Sequence, residues 1–328
     1  INLKGKASDV LLNGGKSESY AIVPDYYNGI LPKVVAKVGE KVKAGSVLMI
    51  DKNRPEIKFV SPVSGEVTAV NRGEKRKVLS IVVKPDAQIE YEEFGKKNVA
   101  SLQGAEVKEV LLNAGMWPFI KQRPYDIVAA PLDTPRDIFV SAFYSAPLAP
   151  NFDFIVKGQE ADFQTGLNAL AKLTNGKVYV GVRSGSVVSG MKGVEIVEVE
   201  GPHPAANVGV QINHIKPVNK GEVVWTVNPA DVIVIGRLFN KGVADFSRMV
   251  AITGSETTER GYVKTISGCT IKSLVNGKVL GQAHIRIISG NVLTGTKVNM
   301  DGYLGAYDNQ ITVIPEGDET HEFLGFAM

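Results

Sequence analysis

Residues 49–67 read MIDKNRPEIKFVSPVSGEV, and the pattern on either side of this stretch decides the fold of the amino-terminal third. Before it, VVAKVGEKVKAGSVL (34–48) alternates apolar and polar residues and places Gly39 and Gly45 where tight turns favour a residue without a Cβ. After it, GEVTAV (65–70) and VLSIVV (78–83) alternate again around NRGEKRK, whose Asn71, Arg72 and Gly73 suit a hairpin turn. Alternation sends successive side chains to opposite faces of a strand. Residues 30–85 are therefore expected to form a small sandwich of paired strands.

Within the stretch, Asp51-Lys52 followed by Ser61-Pro62-Val63-Ser64-Gly65 is similar to the hairpin that presents the modified lysine of lipoyl and biotinyl carrier domains. The spacing departs from that pattern. The run from Gly45 to Lys52 is shorter than a carrier domain allows and the run from Lys52 to Pro62 is longer, with Pro55 stiffening what should be a simple strand. The reading is a lipoyl/biotinyl-like β-sandwich in which Lys52 is a solvated, unmodified turn residue.

A chain of 328 residues, 44% of them hydrophobic, can bury more than one core. The net charge is only +3, with basic and acidic residues interleaved, and the densest run (Arg72, Glu74, Lys75, Arg76, Lys77) falls in the expected hairpin turn. A nucleic-acid partner is not expected. No apolar run approaches the roughly 18 to 20 residues of a membrane helix, and the start, INLKGKASDVLLNGGK, has no secretory core, so the chain is expected to be soluble. A single cysteine, Cys269, excludes an internal disulfide and suits a reducing compartment. Neither a four-thiolate cluster nor a structural zinc site can be built from it. His203, His214, His284 and His321 form no metal-binding pattern and are read as hydrogen-bonding or surface residues.

From Asp126 the grammar changes to strands alternating with helices. RDIFVSAF (136–143) is a buried-strand run, and EADFQTGLNALAKLTNGK follows with Phe163, Leu167, Leu170 and Leu173 at helical spacing and Asn175-Gly176 as a stop. KVYVGV (177–182) is the next strand, and VEIVEVEG (194–201) and DVIVIGRLF (231–239) extend the pattern as further strands. This is an α/β layer with a mostly parallel sheet, Rossmann-like in class. Its first loop, YSAPLAPN, has no glycine to let a backbone approach a pyrophosphate. LNGGKSES resembles the end of a P-loop but has Val10 where the first glycine belongs, and GVRSGSVVSG lacks a following helix signal, so both are read as turns. The last eighty or so residues return to strands: RGYVKTISGCTIKSLVNGKV, AHIRIISGNVLTG and NQITVI fit a β-grasp-like module in which Cys269 fills space.

Taken together, YNGILPKVVAKVGEKVKAGSVL, SPVSGEVTAVNRGEKRKVLSIVV, GMWPFIKQRPYD, AFYSAPLAPN, GPHPAANVGVQINHI, PVNKGEVVWTVNPADVIVIGRLF and RIISGNVLTGT make the whole chain resemble the A-subunit family of bacterial sodium-translocating NADH:quinone reductases. The resemblance implies a peripheral subunit on the cytoplasmic side of the bacterial inner membrane, touching the membrane only through partner subunits. Those partners would carry FMN, FAD, riboflavin and the iron-sulfur centre, and no cofactor is expected in this chain. It further implies an architecture similar to the flavin subunit of respiratory complex I without its cofactor sites. The family's chains extend beyond the final HEFLGFAM, so a carboxy-terminal portion is expected to be missing here. The expected domains are 1–100 (sandwich), 101–255 (Rossmann-like) and 256–328 (β-grasp, SLBB-like).

The resemblance also associates the family with quinone. A quinone ring needs a flat apolar slot with hydrogen-bond donors at its carbonyls. PDYYNGIL (24–31) and GMWPFIKQRPYD (115–126) supply those residue types. Tyr26, Tyr27, Trp117, Phe119 and Tyr125 offer ring faces, Gly29 close approach, Ile30 an apolar wall, and Lys121 or Arg123 a cation for a reduced, anionic ring. His203 is a further candidate donor. The competing readings are that Trp117 and Phe119 bury a domain junction with Arg123 paired to Asp126, which would make the chain a docking scaffold, and that the chain is a carrier protein.

Overall fold

A computed structural model describes residues 3–281 and 284–318; His321 and the HEFLGFAM segment lie outside the described residues. The amino-terminal strands are β1 (Tyr20–Ile22), β2 (Pro32–Val34), β3 (Lys41–Val42), β4 (Val47–Asp51), β5 (Lys58–Val60), β6 (Gly65–Arg72) and β7 (Val78–Pro85). They form two antiparallel sheets, ordered β1-β7-β6-β3 and β2-β4-β5. Alternation does the sorting: Leu48, Phe59, Val67, Ile81 and Val83 point into the core. The tight turn between β6 and β7 places Lys75 and Arg76 at positive φ, outside the sheet.

Lys52 stands exposed in the turn between β4 and β5, the place a carrier lysine would occupy. The hairpin, however, is clamped. Asp51 is fully buried and its Oδ2 accepts from Arg54 Nε at 2.7 Å, while the Arg54 guanidinium donates onward to the carbonyls of Val128 (3.1 Å) and Gly29 (2.9 Å). A buried carboxylate needs such a partner. The same guanidinium therefore fixes the hairpin against the middle domain, whereas a carrier hairpin must remain free to visit its modifying enzyme.

The middle domain contains α1 (Gly104–Asn113), β8 (Ile120–Arg123), β9 (Ile127–Val128), β10 (Ile138–Ser141), α2 (Phe152–Val156), α3 (Glu160–Ala171), β11 (Val178–Val182), β12 (Glu195–Glu198), α4 (Val208–Ile215), β13 (Val224–Val227) and α5 (Pro229–Lys241). Its six-stranded sheet runs β12-β11-β10-β13-β8-β9, parallel through the first four strands and antiparallel at β8 and β9. One apolar run differs from expectation. DVIVIGRLF is not a strand but the body of α5, and the strand of that unit is the VWTV just before it. Asn228 caps the helix by accepting from the amide of Ala230, Pro229 opens it, and every residue from Pro229 to Phe239 is buried. A helix enclosed on all sides has no polar stripe, so its sequence reads like a buried strand. It packs on α3 at glycine contacts: a Cβ on Gly236 would lie 1.7 Å from the carbonyl oxygen of Asp162, and one on Gly166 2.1 Å from that of Val232.

The third sheet, β15-β14-β18-β16-β17, uses β14 (Ser247–Thr253), β15 (Gly261–Ile266), β16 (Ile285–Ser289), β17 (Thr296–Val298) and β18 (Gln310–Pro315), with the short α6 (Ile271–Val275) between β15 and β16. β14 lies on the amino-terminal side of residue 255 yet belongs to this sheet. Single bridges from Leu11 to Tyr262 and from Tyr20 to Cys269 tie the start of the chain to it. Cys269 is fully buried, and burial pushes its thiol up. Among the described residues no helix is long and apolar enough to cross a membrane, and no group of three or more His, Cys, Asp or Glu side chains is placed to hold a metal.

A candidate site at the junction of the three domains

The three domains meet at a cavity of about 40 Å³. Tyr26 and Tyr27 reach it from the turn that begins at Pro24, Phe59 from β5, Phe119 from the turn that begins at Trp117, and Phe246 from the segment ahead of β14. Tyr27 meets Phe59 edge-on at 4.7 Å and Tyr307 at 5.7 Å, and Phe119 lies 6.1 Å from Phe246. These are the perpendicular and tilted contacts that aromatic quadrupoles favour. Tyr26 donates to the carbonyl of Tyr303 at 3.3 Å and Tyr307 to that of Pro118 at 2.7 Å, so hydroxyls as well as rings fasten the domains together. Burial raises the ionisation of Tyr26 and Tyr27 above the ordinary tyrosine range. Both hydroxyls stay protonated at neutral pH, and that of Tyr26 is the one donating to Tyr303.

Of the nine residues singled out from the sequence, only Tyr26, Tyr27 and Phe119 line this cavity. Trp117 is fully buried, its indole 5.3 Å from Trp225 and its Nε1 donating to Ala129 at 2.8 Å, which leaves no free ring face. Gly29, at positive φ, abuts Ile127: a Cβ there would come within 2.6 Å of the Ile127 side chain. Ile30 packs against the core beside it. Arg123 and Lys121 lie near Asp126 at 3.3 and 3.8 Å, and the Lys121 ammonium sits 4.0 Å over the ring of Tyr307, behind the cavity wall. Tyr125 is 80% exposed at the tip of the β8–β9 hairpin. Arg123, Lys121 and Tyr125 therefore stand outside this cavity. Phe59 and Phe246 line the cavity without having been singled out from the sequence, although Phe59 lies inside the stretch 49–67 at an apolar position of its strand. His203 is elsewhere, in a half-exposed cleft shared with His214, and its Nδ1 is 3.1 Å from the Ser145 hydroxyl.

In open α/β sheets ligands favour the carboxyl ends of strands where the strand order reverses, here between β10 and β13. That crevice is filled by side chains. The Tyr144 hydroxyl donates to Asn228 at 3.0 Å and accepts from Asn309 of the third domain at 2.9 Å, and Asn228 also caps α5. Behind them Asp231 and Arg248, both buried, pair at 3.0 Å, and burial lifts the Asp231 carboxyl to about 6 against the opposing pull of the guanidinium.

Comparison with known proteins agrees with this three-part layout. Residues 1–86 match the family described as the NqrA N-terminal barrel-sandwich hybrid domain, 102–244 the NqrA second alpha/beta domain, and 249–300 the NQRA C-terminal domain. The A subunit of the Na(+)-translocating NADH-quinone reductase of Neisseria meningitidis serogroup A is 36% identical over 332 residues, covering all of this chain and 74% of that protein. The chain belongs to this NqrA family. The corresponding subunit of Yersinia pseudotuberculosis is 35% identical over 333 residues with the same coverage, and that of Hahella chejuensis 36% over 332 residues. The family name places its members in a multi-subunit oxidoreductase, so other subunits are partners. Among solved structures, an NAD+-reducing [NiFe]-hydrogenase aligns at a TM-score of 0.40 and 12% identity, over 56% of this chain and 41% of that one.

Proposed function

We propose that this chain is a cofactor-free subunit of a sodium-translocating NADH:quinone reductase, held on the cytoplasmic side of the membrane through its partners, and that its junction cavity supplies the aromatic wall for a quinone ring. The observation that carries this reading is the convergence of Tyr26, Tyr27, Phe59, Phe119 and Phe246 from all three domains on one cavity with tyrosine donors beside it. Rings offer stacking faces, and the protonated Tyr27 hydroxyl offers a donor to a quinone carbonyl, the Tyr26 and Tyr307 hydroxyls already donating to Tyr303 and Pro118. The Tyr144–Asn228–Asn309 plug supports the absence of a nucleotide cofactor at the sheet's switch point.

A cavity of about 40 Å³ is smaller than the ~150 Å³ void known to admit benzene. In this reading the seam between the domains opens for the ring. The same small size favours the alternative, a scaffold whose rings only cement the junction. Affinity of the purified chain for a short-tailed quinone, measured by calorimetry, separates the two. Phe119→Leu and Tyr27→Leu are each expected to weaken binding roughly tenfold through the lost ring contact. Arg123→Ala, whose guanidinium lies against Asp126, is expected to leave affinity unchanged. Wild-type affinity and quinone turnover in a stably folded Phe119→Leu, Tyr27→Leu double variant would establish the scaffold reading.

A further inference from the structure

The stretch LPKVVAKV (31–38) carries apolar residues that the core does not use: Leu31, Val35 and Val38 are 47%, 49% and 62% exposed. The reason is register. β2 is the edge strand of the β2-β4-β5 sheet, with Lys33 opposite Ile50 and Val34 opposite Met49. Alternation turns Val34 and Met49 inward and leaves Lys33 and Ile50 on the outer side, flanked by Leu31 and Val35. Ile50 in turn pairs with Lys58 of β5, and Lys52, whose amide donates to the carbonyl of Leu31, completes the strip. The outer face is thus a mosaic of Leu31, Val35 and Ile50 with Lys33, Lys52 and Lys58.

Two neighbouring carboxylates are turned away from this face. Asp51 is buried on Arg54, and Glu40 is turned back onto the amide of Lys37 at 2.8 Å. Glu56, in the hairpin turn, shares a cleft with Lys58 and Glu109 at one edge of the face, so the charge that selects the partner rests on Lys33 and Lys52. Among the described residues no ion pair engages Lys33, Lys37 or Lys52, and Lys58 donates only to the neutral side chain of Asn113. The face is also preformed, because the Arg54 clamp fixes its hairpin to the middle domain.

The geometry points to this face as the docking surface for an acidic segment of a partner subunit that also carries apolar side chains. Charge complementarity selects the acidic partner: unpaired ammoniums standing between exposed aliphatic groups match carboxylates interleaved with apolar residues. A protein fits better than a lipid surface. The apolar groups are short side chains flush with a rigid sheet, and the face has no aromatic ring, whereas membrane-seated surfaces insert an apolar helix face and place Trp or Tyr at the headgroups. This inference rests on membership of a multi-subunit family and not on the quinone reading.

The test is reassembly of the reductase from the full chain and its partner subunits. Lys33→Glu/Lys52→Glu is expected to bind the partners roughly tenfold or more weakly, with the deficit reduced at high salt, while Lys33→Arg/Lys52→Arg assembles normally. Leu31→Ser/Val35→Ser keeps the charges and is expected to weaken assembly with an unchanged salt dependence. All four residues are exposed, so melting temperatures should match the wild type. Normal assembly of the charge-reversed chain would overturn the proposal. So would normal assembly accompanied by lost binding to phosphatidylglycerol vesicles relative to phosphatidylcholine vesicles, which would make the face a lipid contact.

Discussion

VLSIVV (78–83) and VIVIG (232–236) are nearly interchangeable as strings of β-branched residues, yet the first lies in strand β7 and the second in the middle of helix α5. The composition of an apolar run does not choose between them. Their ends and surroundings do. α5 starts at Asn228-Pro229 and stops at Gly242, in the left-handed conformation, whose amide donates back to Leu238 at 2.7 Å. β7 leaves a tight turn and finds β6 on one side and β1 on the other. The helix is enclosed all round, whereas the strand lets Leu79 out to 43% exposure.

The sharpest way to break this comparison is at Gly236. Alanine is the better helix former by about 1 kcal/mol, but its methyl would have to displace the backbone of α3 from 1.7 Å. Overpacking against an immovable backbone dominates, and Gly236→Ala is expected to cost about 3 kcal/mol or more, read as a fall in the urea midpoint. Gly209→Ala in α4 is the control: a Cβ there meets nothing closer than 3.9 Å, so propensity acts alone and a small gain in stability is expected.

A smaller effect concerns the first turn of α5. Asp231 titrates at about 6 in the folded chain, above the ordinary value near 3.9 of the unfolded one. The folded state therefore keeps a proton that the unfolded state has released, and stability from this group is present below about pH 4 and lost as pH rises through 6. The melting temperature of the wild type relative to Asp231→Asn should fall across that window and level off above it, by the equivalent of about 2 to 3 kcal/mol at most. A relative melting temperature that does not change between pH 4 and 7 would show that Asp231 is ionised throughout. The smallest effect is expected in β7. Leu79→Thr replaces an exposed residue on the strand's outer side and should change stability by no more than about 0.5 kcal/mol.

The candidate site divides in the same way. Tyr26, Tyr27 and Phe119 could be named from sequence because rings flanked by proline and glycine at a domain edge are a local signal. Trp117 carried the same signal and is core, since its indole found Ala129 and Trp225 from two other elements. Phe59 and Phe246 carried no signal beyond being apolar, and only the packing of three domains brings them together. Sequence left Arg123 either facing the site or paired to Asp126, and the turn that follows it brings Asp126 to 3.3 Å.

Sequence by itself determined the periodicities and hence most of the elements: the alternating strands around residues 49–67 and the α3 helix. It also settled the family, because ordered likeness along the whole chain does not depend on any contact. Tertiary structure alone decided whether an all-apolar run became strand or helix, which aromatic residues share a cavity, and which lysines remain without a partner. Each of these depends on residues far apart in sequence. Helical and strand periods are written into consecutive residues by local sterics, but burial on every side, ring-to-ring contact and charge pairing exist only once separate elements have packed.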